Sequence, residues 1–241
     1  MKKVNGAVAI FVETPTLTPT KPLIASIIGA EAALELYELS CEATVSIIQT
    51  AHQELISGGA PGLDIYWAPQ ETKAADTQYW RDFPLINQGL GDQPDRIHNV
   101  YDTLLKQHPF VIMIYADTPH LTSSLYVKIG ILFSQPDKAK DFIIGPVDFG
   151  GYYLFAGKKE VPLYVWKSVS YTDTNAINNL ASTLNLSGSV AWIEMHPSLD
   201  GIRDVERVRL QLNKAGNLTP EQMKLRVFLN RAVKAQKAEN T

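Results

Sequence analysis

Apolar positions along the chain fall into two alternating periods. Seven apolar residues run without a break from Phe110 to Ala116, follow Pro109 and stop at Asp117. A run that short and that continuous fits a strand of a parallel sheet covered by helices on both faces. Ala7 to Val12, Leu63 to Trp67, Leu85 to Gln88, Phe142 to Gly145 and Val190 to Met195 read as further strands. Tyr152 to Phe155, introduced by Gly150-Gly151, reads as an antiparallel edge strand. Between them the period changes to that of a helix. Leu34, Tyr37, Cys41, Val45, Ile48 and Leu55 form one stripe of a long helix that starts after Gly29 and is stopped by Ser57 to Gly62. Helices are also expected from about Thr72 to Asp82, Asp95 to Lys106, after Thr122-Ser123, from near Thr172, and across Val205, Val208 and Leu212 up to Gly216.

Thr219-Pro220-Glu221-Gln222 has proline at the first helical position and the spacing of a capping box, so residues 219–238 are expected as a final helix. Strands alternating with helices predict an α/β fold: a doubly wound, mostly parallel sheet with helices on both faces, one antiparallel edge strand and the extra C-terminal helix. With no repeat and no long linker, residues 1–241 are read as a single domain with a core over 1–215.

The chain has 241 residues, of which 45% are hydrophobic, enough for a sizeable core. A net charge of -3 with 20% charged residues supplies no basic field of the kind that draws proteins to nucleic acid or anionic membrane. No apolar run approaches the roughly 18 residues of a membrane-spanning helix. The stretch after Lys2 and Lys3 is broken at Glu13 and lacks a cleavage site, so a soluble cytoplasmic protein is expected. On the same ground the sequons at Asn185 and Asn217 read as chance matches. Cys41 is the only cysteine, which excludes an intramolecular disulfide and a thiolate zinc cluster; it reads as a buried small hydrophobe.

Several familiar sites are missing. No Gly-x-Gly-x-x-Gly follows the first strand, Gly151 to Lys159 has the wrong spacing for a phosphate loop, and there is no Gly-x-Ser-x-Gly. What remains is a set of strand-end and loop residues: Lys21, Asp92, Arg96, Asp117, His120, Asp148 and Gly150-Gly151-Tyr152. In open α/β sheets ligands sit beyond the carboxyl ends of the strands, where Asp117 lies. Asp117 reads either as a ligand or as a cap for the segment after Pro119. Asp117 and Asp148 follow strands separated by one helix, and should approach each other if those strands are neighbours. Paired carboxylates of that kind suit Mg²⁺ or Mn²⁺ completed by water and a diphosphate; the alternative is an ordinary Asp-Gly turn.

At these residues the chain resembles a bacterial family of GT-A-fold nucleotide-diphospho-sugar transferases, in the group linked to arsenosugar biosynthesis and radical-SAM proteins. Phe11 to Ala25 with Lys21 resembles that family's first-strand loop, and Gln88 to Asp92 with Arg96 its Gln-Gly-x-Gly-Asp segment. Ala116 to Leu121 resembles its Asp-Ser-Pro element, and Gly145-Pro146 with Gly150 to Tyr153 its Gly-Pro-x-x-Asp-Gly-Gly-Tyr motif. Tyr171-Thr172 and the segment from Asp200 through Asp204 to Arg207 follow in the family's order. The resemblance implies a glycosyltransferase in which Lys21, Asp92, Arg96, His120, Gly150, Gly151 and Tyr152 bind a nucleotide-sugar. Asp117 would hold Mg²⁺ or Mn²⁺, and Asp148 or a neighbour would take the acceptor's proton. Four departures stand out. Leu23 replaces an arginine, Gln93-Pro94 replaces Leu-Gly, Phe149 takes the motif's Asp position with Asp148 displaced by one, and Ser198 replaces an Asp. Nucleotidyl transfer to a small phosphorylated molecule, and a degenerate site kept for binding or assembly, remain alternatives. The basic and apolar C-terminal helix is compatible with a homodimer or with simple packing on the core.

Overall fold

Gly6–Val12 forms strand β1, and all seven of its residues are buried. Val8, Ile10 and Val12 join one core layer, and Ala7, Ala9 and Phe11 join another. This is what period-two alternation produces when both faces of a strand are covered. The computed structural model describes residues 4–135, 140–148, 151–169, 173 and 175–239. β1 pairs in parallel with β2 (Leu63–Pro69) and with β3 (Val111–Tyr115).

The rest of the sheet corrects one expectation. Strand β5 (Tyr152–Gly157) is antiparallel as expected, yet it lies inside the sheet and not at its edge. It pairs antiparallel with β3 and with β4 (Phe142–Pro146), and β4 then pairs in parallel with β6 (Val190–Trp192). The order across the six strands is β2-β1-β3-β5-β4-β6. Buried Tyr153, Leu154, Phe155 and Ala156 suit that interior place, since an edge strand has a free flank. β3 and β4 are therefore not neighbours, and the premise that brought Asp117 and Asp148 together fails. Leu85 makes only an isolated bridge to Trp67 instead of opening a strand.

Helix α1 (Pro22–Ile28) precedes the long α2 (Ala30–Ser57). Pro22 occupies the first turn of α1, where its missing N–H costs nothing. Only four residues of the expected helix after Thr72 are helical, as α3 (Ala74–Thr77). Then come α4 (Gln93–Leu105), α5 (Ser123–Ser134), α6 (Leu163–Lys167), α7 (Ala176–Leu184), α8 (Ile202–Lys214) and α9 (Pro220–Glu239). None of the described helices is long and apolar enough to cross a membrane.

A third apolar layer joins Leu36 and Ala43 of α2 to Val205, Val208 and Leu212 of α8 and to Leu225, Phe228 and Leu229 of α9. The capping box at the start of α9 forms as its sequence requires. Thr219 N–H donates to Gln222 Oε1 (3.1 Å), and Gln222 N–H donates to Thr219 Oγ1 (3.2 Å). Gln222 does more than cap. Its buried Nε2 donates to the carbonyls of Pro119 and Leu121, each at 2.9 Å. The final helix thus pins the segment that directly follows Asp117.

Candidate active site

Three strand ends build the cleft. Past β1 the chain enters a loop whose prolines forbid helix, and whose path is fixed by side chains from elsewhere. Tyr37 of α2 accepts a bond from Glu13 N–H (2.8 Å) and donates to the Glu13 carbonyl (2.9 Å). Thr14 N–H donates to the Glu71 carboxylate (2.9 Å), and Trp80 Nε1 donates to Thr14 Oγ1 (3.0 Å). The loop ends at Lys21, which holds left-handed backbone angles (φ 47°, ψ 53°) in front of α1. A non-glycine residue in that region is uncommon, and here it turns the chain into α1 at the mouth of the cleft.

Lys21 Nζ forms an ion pair with Asp117, the residue that ends the β3 segment, and lies 4.0 Å from Asp200. The Lys21 and Asp117 side chains are only 14% and 18% exposed, so the pair is largely removed from water. Burial alone would push the Lys21 amine down. The Asp117 carboxylate, aided by Asp200 and Glu13, more than offsets this and holds the ammonium above its ordinary pKa. Burial pushes the Glu13 carboxyl up; Lys21 partly opposes this, and Asp117 and Glu71 add to it.

Around the pair opens a cleft of about 420 Å³, lined also by Gln70, Gln88, Gln93, Arg96 and Tyr115. Arg96 is placed by the turn into α4. Gly91 has φ 109°, and a Cβ there would come within 2.6–2.9 Å of Asp95 side-chain atoms, so the turn needs glycine. Asp95 is committed to the helix start: its carboxylate accepts from Asp92 N–H (3.2 Å) while Asp92 accepts from Asp95 N–H (3.1 Å).

The expected site residues divide accordingly. Lys21, Arg96 and Asp117 come together in the cleft. Asp92 caps α4 and is not part of the lining. Gly151 and Tyr152 line a second lobe of about 310 Å³, which also touches Asp117. Gly150 lies outside the described residues, as do Phe149, Tyr171 and Thr172. Asp148 is turned to Arg207, 2.5 Å away, and lines neither lobe. Asp148 lies beyond the end of β4, so the period-two alternation of a strand does not set its direction; the Arg207 guanidinium holds it there. His120 is buried outside the cleft against His196, with ring centroids 5.4 Å apart. Neither of its ring nitrogens has a hydrogen-bond partner among the described residues. Burial, then the neighbouring His196 and Arg207, lower its pKa to about 3.

The sequence reading missed Glu13, Gln70 and Tyr115 as lining groups and gave Gln93 no binding role. Asp200 was visible only as part of a resembling segment. Glu13, Gln70 and Tyr115 contact the cleft from the ends of β1, β2 and β3, Gln93 from the first position of α4, and Asp200 from the loop before α8.

Among the described residues, no group of three or more His, Cys, Asp or Glu is spaced to hold a metal unaided. Mg²⁺ and Mn²⁺ need no such cage, since they commonly take one or two carboxylates and complete the shell with phosphate and water. The cleft's charges suit that arrangement. Glu13, Asp117 and Asp200 set three carboxylates against the two cations Lys21 and Arg96. An entering diphosphate would add to this negative excess, which a divalent ion beside Asp117 and Asp200, or a proton on Glu13, would relieve.

Comparison with known proteins agrees with this architecture. Residues 54–173 match the profile of a family described as an uncharacterized protein conserved in bacteria (DUF2064). No curated protein matches the chain. Among solved structures, a Desulfovibrio desulfuricans G20 protein assigned as a nucleotide-diphospho-sugar transferase is similar, with a TM-score of 0.78 and 16% identity, covering 97% of each chain. The 4-diphosphocytidyl-2C-methyl-D-erythritol synthase of Anaerococcus prevotii DSM 20548 is similar at a TM-score of 0.53 and 10% identity, over 88% of this chain and 97% of that one. At such identities the likeness is one of fold: a mixed α/β sheet shared with nucleotide-diphospho-sugar transferase-like proteins. It carries nothing toward the narrower arsenosugar-biosynthesis grouping.

Proposed function

We propose that this protein binds a nucleotide-diphospho-sugar in the cleft at the ends of β1, β2 and β3 and transfers the sugar to an acceptor. The observation that carries this reading is the meeting of Lys21, Arg96 and Asp117 at the carboxyl ends of parallel strands. That is the place where open α/β sheets bind ligands. Lys21 and Arg96 offer hydrogen-bond donors to phosphate oxygens, and Arg96 can do so through two parallel bonds. Gln70, Gln88 and Gln93 provide neutral donors and acceptors suited to a base or ribose.

The Lys21–Asp117 pair has a chemical use in this reading. Without ligand, each charge neutralises the other in a poorly hydrated place. When a diphosphate enters, Lys21 exchanges Asp117 for a phosphate oxygen and frees the carboxylate to face a cation. Mg²⁺ or Mn²⁺ held by Asp117, with Asp200 adjacent, would neutralise charge growing on the leaving diphosphate. Asp148, engaged by Arg207, is not assigned the role of base.

A thermal-shift series tests the reading with ADP, CDP, GDP and UDP, each with and without Mn²⁺. One of them should raise the melting temperature, by an amount equivalent to about 2.7 kcal/mol at a hundred times its dissociation constant. Removing Mn²⁺ should weaken the response, and Asp117→Ala should abolish its metal dependence. No shift with any diphosphate would end the proposal.

A further inference from the structure

The cleft has two lobes, and their chemistry differs. Gln93, Tyr115, Asp117 and Asp200 belong to the linings of both. The first lobe holds both cations, Lys21 and Arg96. The second is walled by Val147, Tyr152, Val169, Ala176, Ile177 and Leu180, and no Lys, Arg or His occurs among the described residues that line it. Among the described residues that line it, the carboxylates are Asp117 and Asp200, on the border.

This partition decides what each lobe can hold. A phosphate group seated among Val147, Val169, Ala176, Ile177 and Leu180 would lose water and find no Lys, Arg or His among the described residues of that wall; both are unfavourable. An uncharged apolar body would shed its hydration onto Val147, Val169, Ala176, Ile177 and Leu180 at a gain. A hydroxyl on that body could still reach the border, where Asp117, Asp200 and Tyr115 give it polar company.

We infer that the second lobe is the acceptor site and that it takes an uncharged alcohol or phenol with an apolar body, not a phosphorylated molecule. This rests on the sugar-transfer reading and narrows it, because nucleotidyl transfer to a phosphate needs an anionic acceptor in the same place. In the step that follows, the acceptor oxygen bonds to the sugar's anomeric carbon as the bond from that carbon to the diphosphate oxygen breaks. The nucleoside diphosphate leaves with the electron pair. The hydroxyl proton passes to solvent water at the border of the two lobes, which the 68% exposed Asp200 side chain leaves open.

The test uses three probes: cyclohexanol, glycerol and glycerol 3-phosphate. Each is titrated, by saturation-transfer NMR, into the full chain alone and into the chain loaded with whichever diphosphate and Mn²⁺ shifted its melting temperature. Cyclohexanol should bind saturably, and at least fivefold more tightly than either other probe. Ala176→Leu, which fills the lobe from the first turn of α7, should weaken cyclohexanol at least fivefold. Val147→Lys, at a half-exposed position, should weaken it similarly and admit glycerol 3-phosphate. Circular dichroism identifies a variant that fails to fold, in which case the other variant decides. Glycerol 3-phosphate binding as well as cyclohexanol, or cyclohexanol indifferent to a folded variant, overturns the inference. If no diphosphate binds, the sugar-transfer reading fails separately, while the titration of the unloaded chain still judges the lobe.

Discussion

Acid should destabilise this protein through one buried ring. His120 is 5% exposed and its two nitrogens have no hydrogen-bond partner among the described residues, so protonation in place would bury a charge beside His196 and Arg207. Its folded pKa is lowered from 6.5 to about 3. In the unfolded chain the same ring accepts a proton as pH falls below about 6.5. Between those limits the unfolded state binds one more proton than the folded state, so stability falls as pH falls. Each pH unit costs about 1.36 kcal/mol, and lowering pH from 7.5 to 5.0 crosses 1.5 units of the window, or about 2 kcal/mol. His196, whose pKa is also lowered, acts in the same direction, and Glu13, whose pKa is raised, acts against it. The contribution of His120 is therefore isolated by difference. Urea unfolding at both pH values should show the natural chain losing about 2 kcal/mol more than His120→Leu loses. Equal losses would mean that His120 is not what acid acts on, and that the buried ring gains a proton acceptor or a water when the pH drops.

Other outcomes follow from the elements that hold the cleft. Gln222→Leu leaves the carbonyls of Pro119 and Leu121 without their donor, and urea unfolding should show a loss of about 1–3 kcal/mol. Because those carbonyls follow Asp117, the same variant should also bind the diphosphate more weakly in a calorimetric titration. Gly91→Ala must place a Cβ against Asp95 at a positive φ, so a loss on the order of 1–3 kcal/mol and a lower melting temperature are expected. An unchanged melting temperature would show that the turn before α4 relaxes freely.

How far the sequence reveals this molecule depends on the range of the forces involved. The continuous apolar runs of β1 and β3 report local burial on two faces, and the capping box at Thr219 is completed within four residues; both are legible. The interior position of β5 is not, because strand order is set by which partners are left for β3 and β4 far along the chain. Pro22 illustrates an ambiguity of local chemistry: the same fixed φ that stiffens a loop also opens a helix, and α1 begins there. Asp92 has a similar double reading. Its carboxylate suits a ligand site, but Asp95 three residues on completes a cap and uses it locally. Lys21 and Asp117 were each visible as site candidates, while their direct pairing depends on a left-handed residue that no motif announces. His120 reads as a site residue because it lies in the loop after β3, within the segment Ala116 to Leu121 that resembles a family element, whereas the structure buries it against His196.

If the meeting point of Lys21, Arg96 and Asp117 receives a diphosphate together with a divalent ion, the anomalous difference signal of Mn²⁺ will locate it in crystals grown with the nucleoside diphosphate that raises the melting temperature. A peak is expected about 2.1 Å from an Asp117 carboxylate oxygen, a metal-ligand distance for a hard divalent ion, with diphosphate oxygens bonded to Lys21 and Arg96. A bound diphosphate elsewhere, with the Lys21–Asp117 pair intact and no peak at Asp117, would contradict it.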